Sequence, residues 1–299
     1  MIVPLRHSLL PVDQKPTRMK RLAAILRAAP KIPLLLVSVF LVTALLADLI
    51  AVHSPTEVVL PQRLIPPMGL EGGSWDHPLG TDALGRDILT RIIYGARTSL
   101  VVAFLTIVVA GCVGAALGIA AGYFGGWFDS VVGRVIDLSL AFPVILLAIL
   151  LVMVLGPNTT NLVLAVSLVL WARFARVIRG EVLQVVTNEY IALARISGAS
   201  NLRIMYRHVL PNVTPTLIVI LTFQVGWIII VEATLSFLGA GVPPPTPAWG
   251  SMVADGRNWV TTAWWVSAFP GAAITLVVLA FNLLGDWLRD ALDPRLRQV

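Results

Sequence analysis

Apolar residues fall into six long runs separated by polar connections: Ile32 to about Val52, Leu100 to Ala121, Val131 to Leu155, Leu162 to Val177, Thr214 to Leu238 and Val266 to Leu288. At 1.5 Å of rise per residue the first is about 30 Å long as a helix, the thickness of a bilayer's hydrocarbon core. Pro143 and Glu232 interrupt the third and fifth runs, which a membrane helix tolerates where partners or cavities satisfy the polar groups. Trp171, Arg173 and Arg176 shorten the fourth. The pattern predicts an all-α, polytopic membrane protein with six transmembrane helices.

Three connections are longer than the two to eight residues that usually join bundle helices: His53 to Ser99, Arg179 to Pro211 and Gly239 to Trp265. All three mix turn residues with aliphatics, so they are expected to be ordered. Within the last, Pro243-Pro244-Pro245-Thr246-Pro247 is expected to be stiff and extended.

Composition agrees with lipid as the main solvent. Of 299 residues 57% are hydrophobic and 13% charged, and the mean hydropathy is +0.86, more apolar than a water-soluble domain hides in one core. One membrane domain accommodates this better than two soluble ones. The net charge of +6 would suggest nucleic acid in a soluble chain, but no basic run interleaves with aromatics here, so membrane lipid and not nucleic acid is the expected partner. Cys112, the single cysteine, lies in an apolar run and reads as a small buried residue.

The arginines and lysines orient the chain. Arg6, Lys15, Arg18, Lys20, Arg21, Arg27 and Lys31 precede the first run; Arg173, Arg176, Arg179, Arg195, Arg203 and Arg207 surround one connection; Arg289, Arg295 and Arg297 follow the last run. The positive-inside rule then places both termini in the cytoplasm. Arg63, Arg86, Arg91, Arg97 and Arg257 fall on the other side. Trp127, Trp171, Trp264, Trp265 and Trp287 lie near span ends, where amphipathic rings settle at the headgroups. The polar N-terminus and the absence of a cleavage site make the first run a signal anchor.

Gly114, Gly118 and Gly122, with Ala110 upstream, form a stripe of minimal side chains on one helix face. It permits close approach of another helix, either of this chain or of a partner membrane subunit. Between Val177 and Pro211 the residues predict a cytoplasmic elbow. Asn188 to Ile196 form one short helix, Ser197 to Asn201 supply a break and an N-cap, and Leu202 to Leu210 form a second helix stopped before Pro211. Leu202, Met205 and Val209 share one face of that second helix and Arg203 and Arg207 another. An amphipathic basic elbow suits either a headgroup surface or a groove on a soluble partner.

The run from Tyr190 to Asn212, with Ala194, Gly198, Leu210 and Pro211 in register, resembles the EAA loop of ABC importer permeases. It departs at the glutamate position, which is Ala192, and at the next alanine, which is Leu193. His77-Pro-Leu-Gly-Thr-Asp-Ala-Leu-Gly-Arg-Asp87, Tyr94 to Leu100, Leu235 to Gly239, Pro247 to Gly250 and Asn282 to Arg295 resemble, in the same order, blocks of the C-type permeases of dipeptide, oligopeptide and nickel systems. The resemblance spans roughly residues 77 to 295.

It implies the type I importer permease fold in a bacterial inner membrane. A cytoplasmic tail (1–31), first transmembrane helix (32–52) and extracytoplasmic segment (53–97) would precede a permease core (98–288) with its coupling helix around 188–210, and a short cytoplasmic tail (289–299) would follow. The implied partners are a second, homologous permease, two ATP-binding subunits and a periplasmic or lipid-anchored binding protein. Tyr190, Ala192, Ala194, Arg195, Gly198, Ala199, Leu210 and Pro211 would couple to the ATPase. Asp137 and Glu232, ionisable groups in or beside spans, would line the path or fix helix packing. Asp82 and Arg86, four residues apart, would pair on a helix or serve a gate or binding-protein contact.

No phosphate-binding loop of the Gly-x-x-x-x-Gly-Lys-Ser/Thr type is present, and none of the three lysines follows a glycine. No cofactor is expected on this chain, with ATP and magnesium held by partner subunits. His7, His53, His77 and His208 have neither metalloprotease nor zinc-finger spacing, so no metal is expected either. The alternative of an ion-coupled secondary transporter would call for broken helices in matching halves, and the sequence shows no such symmetry. An intramembrane enzyme would call for a clustered catalytic constellation, which is lacking.

Overall fold

A computed structural model describes residues 30–292. The basic residues expected in the N-terminal tail, from Arg6 to Arg27, and Arg295 and Arg297 at the C-terminus lie outside the described residues.

The described chain is helical, with one isolated β-bridge between Thr81 and Asp87. Its helices are α1 (Lys31–Leu45), α2 (Ala47–Ile50), α3 (Ile88–Phe124), α4 (Gly126–Ala141), α5 (Val144–Leu155), α6 (Thr159–Val185), α7 (Glu189–Ile196), α8 (Asn201–Ile204), α9 (Leu210–Phe237), α10 (Trp249–Gly256) and α11 (Trp265–Leu292). Four helical segments are long and apolar enough to cross a membrane, and a fifth if the bent pair α4–α5 is one span. The first apolar run is divided: α1 has 15 residues, and Leu46 interrupts it before the single turn of α2.

Four expectations are corrected here. The second span begins at Ile88, twelve residues before the expected Leu100, because Asp87 caps it, its Oδ2 accepting from the Thr90 N–H at 2.7 Å. At 37 residues α3 is about 55 Å long and extends beyond any bilayer core. The third span is not continuous. Phe142 is extended and Pro143 cannot donate to the turn before it, so α4 and α5 meet at 91°.

The fourth span is longer than expected, not shorter. Its arginines are accommodated: Arg173 stacks over the Trp227 ring at 4.6 Å, Arg176 pairs with Asp137, and Arg179 grips Asp129 through both carboxylate oxygens, Nη2 to Oδ2 at 2.6 Å. The helix expected to stop before Pro211 instead runs on into α9. A π turn at Met205–Val209, in which the Leu210 N–H reaches the Met205 carbonyl, widens the backbone where proline would otherwise clash.

Side-chain placements correct three more. Cys112 is exposed on the outside of α3. Trp171 lies mid-helix in α6 and Trp265 is buried, its Nε1 donating to the Thr81 carbonyl at 3.2 Å, so neither belongs to an interfacial belt. Leu202 is exposed while Val209 is buried, so the buried face of the elbow's second limb is carried by Ile204 and Val209.

α3 and α6 form the main packing unit and run parallel. The glycine stripe is their contact. A methyl group on Gly114 would fall 2.5 Å from the Trp171 carbonyl oxygen, one on Gly118 2.7 Å from that of Ala175, and one on Gly122 2.8 Å from the Val182 Cβ. The stripe therefore serves packing within this chain. α9 and α11 pack beside this pair, and α10 closes the end where α3 begins. Buried Trp249 anchors α10, its Nε1 donating to the Ile92 carbonyl at 2.9 Å.

Candidate functional site

The elbow stands at the end of the bundle where α3 and α6 finish. α7 ends in a Schellman turn: the Gly198 N–H reaches the Arg195 carbonyl at 3.0 Å and the Ala199 N–H the Ala194 carbonyl at 3.1 Å. That geometry needs a left-handed residue, and Gly198 has φ of +78°. Ser200 then caps α8, its Oγ accepting from the Arg203 N–H.

Sequence spacing thus located the break and the cap. It did not locate what roots them. Ile191, Ile204 and Val209 are buried in a small cluster with Tyr123, Ile178, Val182, Val185 and Val213, so the elbow rests on the ends of α3, α6 and α9. Tyr123 also donates its hydroxyl to Asn201 Oδ1 at 2.9 Å and lies beneath the Arg195 guanidinium at 5.2 Å. A tyrosine at the end of an apolar run offered no signal of this in the sequence.

With Ile191, Ile204 and Val209 turned inward, other apolar groups face out. Leu193, Ile196, Leu202 and Tyr206 are all more than 60% exposed. Ala192, Arg195, Gly198 and Pro211 are exposed, Tyr190 is at the margin of exposure, and Ala194, Ala199 and Leu210 are half-buried against the root cluster. An apolar knob of this kind on a rigid turn fits a concave protein surface. Behind it, a cavity of about 520 Å³ lies between α6, α9 and α11, lined by Glu181, Asn212, Phe223 and Arg289 among others.

The other predicted residues lie apart from the elbow. Asp137 is exposed on α4 and pairs with Arg176, beside a cavity of about 310 Å³ that Asp129, Ser130, Arg134 and Arg179 also line. Glu232 is buried, accepting from Ser99 Oγ at 3.2 Å and Ser236 Oγ at 2.8 Å, which ties α9 to α3.

Asp82 and Arg86 pair at 2.6 Å, but in a tight turn ahead of α3 and not on a helix. Asp82 Oδ1 accepts from the backbone N–H groups of Leu84 and Arg86, and Arg86 reaches Asp255 at 3.4 Å. These residues line a cavity of about 580 Å³ with Arg257 and Asn258. The predicted residues therefore form two groups at opposite ends of the bundle, with Asp137 on the bent helix between.

Comparison with known proteins bears on this arrangement. Residues 114–298 match the family model described as the binding-protein-dependent transport system inner membrane component. The chain is 42% identical to a putative peptide transport system permease protein of Brucella suis, over 98% of this chain and 97% of that one. It is 45% identical to the dipeptide transport system permease protein of Escherichia coli, over 89% and 88%. It is 42% identical to the di/tripeptide transport system permease protein of Pseudomonas aeruginosa, over 86% and 84%.

Proposed function

The chain belongs to the family of binding-protein-dependent transport system inner membrane components, and from that premise we propose that it is one half of the pore of an ATP-driven importer of di- or oligopeptides. It is a multi-pass, non-catalytic membrane subunit, and ATP is hydrolysed on partner subunits. Peptide as cargo is supported by the names of its relatives in three organisms.

Six crossings in the type I importer arrangement follow if α1 with α2, and α4 with α5, each count as one. Both termini are then cytoplasmic, and the elbow faces the cytoplasm. In this reading a homologous permease completes the pore, two ATP-binding subunits carry ATP and magnesium below it, and a periplasmic or lipid-anchored binding protein delivers cargo above.

The observation that carries the reading is the elbow. Its exposed Leu193, Ile196, Leu202 and Tyr206 dock in the ATPase, while Ile191, Ile204 and Val209 transmit the displacement to α3, α6 and α9. Closure of the ATPases around ATP moves the elbow as a unit about Gly198 and the π turn, and the bundle passes from inward-open to outward-open. Asp137 and its neighbours on α4 face the path, because exposed charges on a membrane helix need water or a partner. Glu232 holds α3 against α9 behind it. The Asp82–Arg86 turn stands at the entrance, where the binding protein docks.

Purification of the full chain from its native membrane tests this. An ATP-binding subunit should accompany it, and vesicles holding the complex should accumulate dipeptide only with ATP inside the compartment that the elbow faces. Uptake by the chain alone, driven by an ion gradient, would overturn the proposal.

A further inference from the structure

A cavity of about 190 Å³ opens beside the first turn of α3, lined by His53, Asp76, Asp87 and Thr90 among others. His53, His77 and Asp87 meet there, one ligand atom of each within 4.8 Å of the others. The transport reading uses none of the three. His77 and Asp87 are buried.

Both rings are held through their Nε2 atoms. His77 Nε2 lies 3.2 Å from the Gln62 side-chain oxygen, and in the tautomer with the proton on Nε2 it donates there. In that tautomer Nδ1 presents its lone pair 3.0 Å from Asp87 Oδ1. A lone pair and a carboxylate that close are stabilised when both face one cation, whereas a proton on Nδ1 makes the same contact an ordinary hydrogen bond.

His53 repeats the pattern: its Nε2 is 2.8 Å from the Asp76 carbonyl oxygen, an acceptor only, which leaves Nδ1 with the lone pair. Rings whose distal N–H is held by an oxygen are the outer-shell arrangement that orients metal-binding histidines. Asp87 is oriented likewise, its Oδ2 occupied by the Thr90 N–H at 2.7 Å.

We propose that His53, His77 and Asp87 bind a divalent transition-metal ion, with zinc the representative case. Two imidazoles and one carboxylate suit zinc, nickel or cobalt and disfavour magnesium or calcium, which take oxygen ligands. The adjoining cavity admits water to the remaining positions. The ligands come from the end of the first apolar run, the following loop and the cap of α3, so the ion fastens the segment between α2 and α3 to the bundle.

The test uses the full untagged chain in lipid nanodiscs, stripped with chelator, loaded with zinc alone and dialysed, with metal counted by mass spectrometry. The variant is His53→Ala, since that ring is only partly buried and is held by one hydrogen bond to a backbone carbonyl and its contact with the His77 ring at 4.8 Å, and the variant's thermal unfolding without metal should match that of the wild type. Wild type should retain one more zinc per chain than the variant, and the variant's affinity should fall by at least about 100-fold, the upper end of what loss of one outer-shell partner costs. Magnesium loaded the same way should not be retained. Equal zinc in the two proteins, or no zinc in either, would overturn the proposal and leave a shared proton as the cation between His77 and Asp87.

Discussion

At the elbow end the fold is held mainly by apolar burial, with Ile191, Ile204, Val209 and Val213 closing on Tyr123 and the last turns of α3 and α6, and one directed bond from Tyr123 to Asn201. At the opposite end, ahead of α3, buried polar groups hold the chain: Asp82 with Arg86 and Arg91, His77 with Asp87, and Thr81 with Gln62. Non-directional contacts let an elbow tilt while staying packed. A network of directed bonds does not, because shifting one member leaves another buried and unpaired. The difference fits the proposed mechanism, in which one end moves under the load of the ATPase and the other keeps its shape.

Breaking the rigid end should have the largest effect on stability. Asp82→Ala leaves buried Arg91 without its ion-pair partner and Arg86 with only the longer contact to Asp255, and loss of one partner of a buried pair costs about 3–5 kcal/mol. Thermal unfolding of the purified protein should drop by many degrees, and little should reach the membrane.

Ile191→Ala attacks the root of the elbow. Removing a fully buried isoleucine costs about 2–5 kcal/mol when the site cannot collapse. The loss here should lie near the lower bound, because the elbow is free to settle. Proteolysis should then cut first between Val186 and Ser200 while the bundle persists.

Gly198→Val separates strain from packing. A methyl group at Gly198 meets nothing within 4 Å, so its entire cost is the left-handed backbone, about 1–2 kcal/mol. Membrane levels should be unchanged, uptake should fall at least tenfold, and ATP hydrolysis by the partners should continue. Ile196→Asp is the sharpest contrast. The side chain is 83% exposed, so stability should change by less than about 0.5 kcal/mol, yet ATPase retention on purification and peptide uptake should both be lost.

The sequence made the elbow legible because its devices are local. A serine cap, a glycine terminus and a short apolar run are each read within a few residues, and Asn188 to Ile196 was located almost to the residue. Long-range partners were not legible in that way. Arg173 and Arg176 read as the end of a span and Arg179 as the start of a connection, because the sequence does not show Trp227, Asp137 and Asp129 opposite them. Likewise, His53, His77 and Asp87 have no recognisable spacing, because a loop and two helix ends bring them together.

Pro143 and Pro211 show the limit from another side. The first breaks a helix at 91° and the second sits in a continuous one. The difference is the π turn before Pro211, a backbone adjustment that residue identity alone does not reveal.

Which side of the membrane the elbow faces can be measured directly with Ile196→Cys in a Cys112→Ala background, since Cys112 is the chain's one other thiol. A membrane-impermeant maleimide should label this protein in inverted vesicles stripped of the ATPase and not in intact spheroplasts, and adding back the ATPase should block the labelling. Labelling from outside intact spheroplasts would put the elbow on the wrong side of the membrane and contradict the account.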